Sequence, residues 1–598
     1  MERRRNIEDY YREEINYLKE RGREFAKAYP NLMPFFLETG RLDPHVDRIL
    51  EGSAFLCAKL HMALDISQNH LASELLKLFW PQILSPVPST SMVELKLRPT
   101  TTSPQKLEKG TVLETEWIES KRSGSKQIKY RAQASAVVNP MELVNVSTSY
   151  DFGAWSLQLL FKTSGGAMCK DLNFDQPLPI QIYDPDEYAM FSAYEDLKYR
   201  TDQNSSVCEI LVKQGNDWNQ VCKAVFYIPF PLSKSPVFPY PRNVFPGFRI
   251  LQEFFLIPSY FMMIEIDGLN KLNDFDASEF KIIIPFKRKE KPNFDWQTSN
   301  LKLHCIPVVN VFKDKCRSIS TNLESRRFRL LLDEMNPSGD SATIHSIENV
   351  FLKAPGQKWE SEIEPFNLFH TSRNLPDGDL LKPSYSLEYE LDKQENGTEL
   401  RHVYLVLRNA TPLYRSKYYT LHAEALWSDT DINEFLLEMR INRGTPETMT
   451  CHNIFPPTPY ITPIDPSHLR WFLVEIMAMN YQSVDTSEGL KKLLKLLNPK
   501  PTPGNSVYEE SIEKVIVTTK RFYDKRLPIN GQEFIFHIRD NVFRGCRGKM
   551  LAFFDIVHAY LTEYISINSK VSVKTVLLDS EKNELNLWKP YSGSRKLV

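Results

Sequence analysis

Two histidine–cysteine neighbours, His304-Cys305 and Cys451-His452, are the first places where this sequence could do chemistry. A thiol becomes a nucleophile when a base removes its proton, and histidine is the usual base. Adjacency in sequence does not supply that geometry. His304-Cys305 runs into the apolar stretch Ile306-Pro307-Val308-Val309, and neighbouring side chains on a strand point to opposite faces. Cys451-His452 sits in a proline-rich loop region and has the same weakness. His61 and His70 flank Asp65 but stand nine residues apart, whereas two metal ligands on one helix face stand three or four apart. The eight cysteines, at 57, 169, 208, 222, 305, 316, 451 and 546, are scattered and form no Cys-x-x-Cys pair. They read as free, mostly buried thiols rather than a disulfide framework. A glycine-rich phosphate loop, His-Glu-x-x-His and Gly-x-Ser-x-Gly are all missing. The reading assigns no catalytic, cofactor-binding or metal-binding residue, expects no cofactor, and takes the chain as a non-enzyme.

Charge narrows the classes further. Lys plus Arg (74) and Asp plus Glu (75) leave a net charge of −1, which gives no global pull toward nucleic acid or an anionic membrane. The basic clusters Lys287-Arg288-Lys289 and Arg521 with Lys525-Arg526 are short, and Glu290 and Asp524 dilute them. No nucleic-acid partner is expected. The charged start Met1–Asn6 is followed by Glu8, Asp9, Arg12, Glu13 and Glu14, where a secretory signal would place an apolar run. The longest apolar stretch, Phe254–Ile266, is interrupted by Pro258, Ser259 and Glu265 and falls short of the ~20 residues a membrane span needs. The expectation is a cytoplasmic protein with no direct membrane insertion.

The elements that would position any site fall into three textures. With 598 residues the chain exceeds the ~250–300 at which single cores stop growing, so several domains are expected. The first is helical, at 1–88. Ile7, Tyr10, Tyr11, Ile15, Leu18, Phe25 and Tyr29 recur mostly at spacings of three and four, giving an amphipathic helix closed by Pro30 and Pro34. Asp43-Pro44 starts a second helix over His45–Leu64, and a third begins near Asn69 and ends at Trp80-Pro81. Beyond Pro86-Val87-Pro88 the texture turns to short β-prone stretches, among them Met92–Leu97, Ala136–Val138, Leu178–Ile182, Lys281–Phe286 and Val403–Leu407. No helix-length periodic segment stands out before about Ala423. We read antiparallel sandwich- or barrel-like domains at 89–300 and 301–450. The last part, 451–598, is an α+β module. It has helices at Ser467–Met479 and Glu488–Leu497, strands at Val515–Thr519 and Glu533–Ile538, a helix at Lys549–Tyr564 and a strand at Val571–Leu577. Pro499–Gly504 reads as a linker or extended surface loop. The fold class is therefore α+β multidomain.

An ordered set of motifs reaches further. Tyr10-Tyr11-Arg12-Glu13-Glu14-Ile15-Asn16-Tyr17-Leu18, Asp43–Gly52, Leu75-Leu76 through Trp80-Pro81 and Pro86-Val87-Pro88-Ser89 resemble the start of the TssF (VasA/ImpG) family. Pro246–Phe255, Cys305–Phe312, His345–Val350, Leu469-Arg470-Trp471, Met479-Asn480-Tyr481 and Ser566–Ser569 are similar to later signatures in the same order. One stretch departs: Trp427–Asn433 stands where the family usually shows a Cys-Thr-Asn-Arg-type segment. The resemblance implies a phage-baseplate-wedge-like fold and a structural role in the type VI secretion baseplate, cytoplasmic and docked to the inner-membrane complex. It implies two copies of this chain per TssG, joined by TssK and TssE around the VgrG spike, so that tube and sheath polymerisation can start. Tyr10, Tyr11, Ile15, Leu18, Phe25, Leu75, Leu76, Phe79 and Trp80 are the candidate protein-interface residues, with packing inside the chain as the competing reading. The alternatives are an equivalent wedge protein of a phage tail or extracellular contractile particle and, more remotely, a cytoplasmic enzyme or a sugar-binding β protein.

Overall fold

A computed structural model gives the architecture. It describes residues 7–593 except 30–36, 39–40, 43, 121–123, 152, 201–205, 242–243, 287–290, 293, 334–340, 355, 357–359, 367–382, 394–398, 409–417, 437–438, 466–467, 479–483, 500–502, 525–526, 580–583 and 586–587. Asp43, Pro30, Pro34 and the basic cluster at 287–289 lie outside the described residues.

Helix α1 (Ile7–Ala28) carries Glu8 and Asp9 in its first turn and Lys27 in its last, each opposing the end charge of the helix dipole. Helix α2 (Pro44–Phe79) runs unbroken for 36 residues, about 54 Å at 1.5 Å per residue. The sequence reading split it in two at Asp65–Gln68. Three of those four residues are polar, but none is proline or glycine, so nothing there breaks the backbone ladder. Helices α3 (Glu187–Arg200) and α4 (Pro246–Leu256) lie in the stretch where no helix was expected. Helix α4 does carry a helical period, with Arg249, Gln252 and Glu253 on one side of an otherwise apolar helix, but it is only 11 residues long and that polar side is buried as well. Helices α5 (Leu469–Ala478) and α6 (Ser487–Leu497) follow the expected positions. The Thr486 hydroxyl caps α6 by accepting from the Gly489 N–H at 3.2 Å. Helix α7 (Pro503–Ser511) begins inside the expected linker, with proline at its first position, where an N–H would be orphaned anyway. Helix α8 (Arg547–Tyr564) completes the set.

Among the described residues, five sheets of four or more strands and three two-stranded ones make up the β structure. An eight-stranded antiparallel sheet is ordered Met141–Asp151, Ala154–Thr163, Glu279–Pro285, Ser206–Gln214, Asp217–Tyr227, Met263–Asp267, Leu178–Ile182, Leu301–Leu303. Its inner residues share one core with α3, α4, α6 and α8. A six-stranded sheet runs Ile441–Arg443, Val112–Thr115, Lys129–Ala132, Cys305–Val309, Thr90–Leu97, Met449–Asn453 around a smaller core. Between its strands ending at Val309 and beginning at Ile441, the chain leaves to build a separate sandwich. There Leu421, Ala423, Ala425 and Trp427 of one sheet share a core with Val403, Leu405 and Leu407 of the other. The sandwich spans residues 312–429 and is an insertion, so the sheet interrupted by it draws strands from both sides of the 301–450 boundary. At the C-terminus, Leu527–Ile538 pairs antiparallel with Ile512–Asp524 and parallel with Lys570–Leu577, with α8 as the crossover. This module shares its core with the eight-stranded sheet, so 451–598 does not stand apart.

The neck of the inserted sandwich is polar and wholly buried. Lys126 Nζ donates to Ser341 Oγ (2.8 Å), Asp429 (2.9 Å) and Asp431 (2.8 Å). Asn310, where the chain leaves, donates to Asp429 at 3.0 Å, and its side-chain oxygen accepts from the Asp429 N–H at 2.8 Å. Outgoing and returning strands are thus tied at one point. The stretch that departs from the family pattern, Trp427–Asn433, supplies both aspartates.

Candidate protein-binding surface

The residues that could have done chemistry are held in unreactive settings. His304 is buried, and its Nε2 accepts the Asn139 N–H at 3.3 Å, while burial pushes its imidazolium down to about 4. Burial raises the Cys305 thiol well above its ordinary value, so it is held protonated. Cys451 is pushed up to about 12 by burial, and its thiol faces the Ile441 carbonyl. His452 pairs with Glu94 at 2.9 Å, and His61 with Glu14 at 2.7 Å. All eight cysteines are free thiols. Among the described residues, no group of three or more His, Cys, Asp or Glu side chains could hold a metal. A small cavity is lined by Tyr194, Lys198, Asp555 and Trp588, but its carboxylate is engaged. Asp555 accepts from Tyr194, Lys198 and, at 2.8 Å, the Trp588 indole.

What the surface does offer is apolar. Helix α1 lies antiparallel on α2, with the Tyr10 hydroxyl donating to Asp65 (2.7 Å) and Lys19 reaching Asp47 (2.9 Å). The face of α2 that meets α1 and the core is made of Ala54, Ala58, Ala72 and Leu76, and its small residues let the helices approach closely. A second apolar stripe runs along the same helix. Ile49, Leu56, Leu60, Leu64, Leu71 and Leu78 recur at steps of four and seven, and all are exposed, Leu60 by 64%. At roughly 100° per residue the two stripes lie about 140° apart. The outer stripe therefore cannot be reached by α1. Helix α5 crosses alongside, tied by Arg470 to Asp65 (3.1 Å) and Gln68 (2.5 Å). It buries Leu469, Phe472 and Leu473 and exposes Trp471 (72%), Val474 and Met477. Nine large apolar side chains on two adjacent helices form a ridge of the kind that soluble monomers rarely leave bare.

The sequence-predicted interface residues divide across this arm. Tyr10, Leu76 and Trp80 are buried within the chain, and the Trp80 ring packs 4.3 Å from Phe248 of α4, anchoring the arm to the main core. Tyr11, Ile15, Leu18 and Leu75 are half-buried, and Phe25 and Phe79 are exposed. Sequence reasoning missed the outer stripe of α2 and the exposed face of α5. The signal was present: a helix whose large residues repeat at seven while its alanines occupy another face has two apolar sides.

Comparison with known proteins agrees with this architecture. The chain is similar to the type VI secretion system component TssF1 of Pseudomonas aeruginosa PAO1, with 24% identity over 646 residues and 98% of each chain covered. Its fold matches a chain in a solved TssK-TssF-TssG baseplate subcomplex of type VI secretion, with a TM-score of 0.75 at 18% identity, covering 92% of this chain and 99% of that one. A chain in another type VI baseplate complex matches with a TM-score of 0.57 at 16% identity, covering 99% and 100%. The family model described as "Type VI secretion system, TssF" matches residues 3–595. On that whole-length match, the protein belongs to the TssF family of type VI secretion systems.

Proposed function

We propose that this chain is a structural wedge subunit of a type VI baseplate, acting by assembly and by no catalysis of its own. Two copies join one TssG, TssK and TssE complete the wedge, and wedges gather around the VgrG spike. The baseplate so formed lies in the cytoplasm against the inner-membrane complex, where tube and sheath polymerisation starts. The observation that carries the reading is the bare ridge on α2 and α5. An apolar face that its own chain leaves uncovered is energetically useful only when another chain covers it. Helix-in-groove or bundle packing fits its spacing. A permanent wedge buries interfaces above roughly 2,000 Å2 with apolar centres, and a helix of this length supplies such a centre. Among the described residues no helix is long and apolar enough to cross a membrane, in keeping with a subunit held by protein contacts.

Co-expression with the TssG encoded beside it, tagged purification and native mass measurement test the reading. The expected species holds two copies of this chain per TssG, and Leu60→Glu with Leu64→Glu dissociates it. A monomer that ignores TssG would refute the wedge reading and reopen the enzyme and sugar-binding alternatives.

A further inference from the structure

The motif at Pro246–Phe255 has no part in the ridge, yet one of its side chains points to a second surface. A groove of about 560 Å3 opens where the segment leading into α4 faces the six-stranded sheet. That volume lies within the range of ligand sites. One wall is apolar and rigid, built of Pro239, Tyr240 and Pro241. Prolines have no N–H, so this wall cannot zip a peptide into a sheet; it can only offer flat faces. The charged lining groups are Lys109, Arg131 and Arg249 against one carboxylate, Glu563, a balance of two positive charges among the lining residues.

Arg249 is the informative member. It is more than nine-tenths buried. Its Nη1 donates to the Lys234 carbonyl at 3.1 Å, but its buried Nε meets no acceptor. A buried donor left unmade is costly, and a bound acceptor would recover that cost. Glu253, buried beside it, offsets part of its charge and accepts the Val237 N–H at 2.8 Å, but no hydrogen bond joins it to Arg249 Nε. A guanidinium with a free edge beside a second arginine is suited to a carboxylate, taken in a fork. A small anion would need the cations alone; the proline and tyrosine wall adds faces for an extended backbone beside it.

We propose that this groove receives an extended, carboxylate-bearing segment of a neighbouring protein chain, with the carboxylate on Arg249 and Arg131 and the flanking residues against the proline wall. The site is separate from the α2–α5 ridge, and only the choice of test peptides draws on the baseplate reading. The experiment applies the purified full-length chain to an array of overlapping 15-residue peptides (about one pocket length with flanks) tiling the proteins encoded alongside it. A second array carries Asn and Gln in place of every Asp and Glu. Retained peptides are expected to be acidic, and retention should fall at least tenfold on the amide array and in Arg131→Glu. Lys109→Glu, at an exposed position, repeats the test with little risk to folding. No retained peptide, or retention indifferent to the amide exchange or to both charge reversals, overturns the proposal. So does inorganic phosphate binding as tightly as the best peptide, which would make this a small-anion site. A silent array beside an intact two-to-one complex with TssG strikes the groove alone, whereas loss of that complex strikes the wedge reading.

Discussion

Replacing Lys126 with methionine should unpin the inserted sandwich. The lysine is 1% exposed in its side chain, and so is Asp429; Asp431 is fully buried. With Lys126 in place the three groups sum to −1, and without it to −2. The two carboxylates each lie within 2.9 Å of one nitrogen, hence no more than about 6 Å apart. Their repulsion at an effective dielectric near 20 is about 3 kcal/mol once the cation is gone. Breaking a buried pair by removing one partner costs about 3–5 kcal/mol in general, and this site should fall at the upper end. Asp429 keeps the Asn310 amide at 3.0 Å, which limits the loss. Asp431→Asn should cost far less, because it leaves the lysine with one carboxylate and brings the cluster to neutrality. Adding Asp429→Asn and Asp431→Asn to Lys126→Met should recover much of the stability. Hydrogen exchange read by mass spectrometry is the right assay, because a chain of several units has no single unfolding free energy. Protection should drop across Ala342–Lys353 and Tyr419–Asp429 while α8 and the eight-stranded sheet stay protected. If Lys126→Met exchanges like wild type, or if the triple variant is no better than the single one, the electrostatic account of the neck is wrong.

Three further outcomes follow from packing and protonation. His304, His345 and His558 are buried and neutral, with imidazolium values pushed by desolvation to about 4, 3 and 4. The unfolded chain takes up protons below its ordinary value near 6.5 while the fold does not, so stability is lost as pH falls from 6.5 toward 4; hydrogen exchange around each histidine, corrected for its intrinsic pH dependence, should show about 1.5 kcal/mol less local protection at pH 5 than at 6.5. Gly548→Ala should destabilise the α3–α8 contact by about 3 kcal/mol or more, because a Cβ there would stand 1.8 Å from the Phe191 carbonyl oxygen; a melt unchanged within 1 °C would contradict the close crossing. Leu76→Ala, at a wholly buried position, should cost about 2–5 kcal/mol in thermal melts, whereas Leu60→Ala should leave the melt within about 0.5 kcal/mol yet weaken TssG capture, and the reverse pattern would mean the two stripes of α2 have been assigned to the wrong faces.

Local pattern carried much of this protein. The period of three and four in Ile7–Tyr29 reads out α1 because one side of that helix is wet and the other dry. Alternation and turn residues marked strands such as Ala136–Val138 and Leu178–Ile182 to the residue, since each is bounded by chemistry local to the chain. The family motifs are likewise contiguous, and their order was readable without a structure. The C-terminal strand–strand–helix–strand unit also follows from period alone.

Tertiary structure decided the rest, and the reasons are physical. Helix α4 escaped notice because it is only 11 residues long, and only packing shows that its polar side, Arg249, Gln252 and Glu253, is buried with the rest. The sandwich at 312–429 could not be recognised as an insertion, because a strand's partner is set by hydrogen bonding across space: Cys305–Val309 and Met449–Asn453 flank the same strand, Thr90–Leu97, from opposite sides of it. Lys126 looked like any surface lysine until Asp429 and Asp431, some three hundred residues on, closed around it. On α2 the sequence showed that apolar side chains recur, but not which would be covered. Only the placement of α1 and the main core settled that the alanine–Leu76 face turns inward and the Leu56–Leu60–Leu64 face stays exposed.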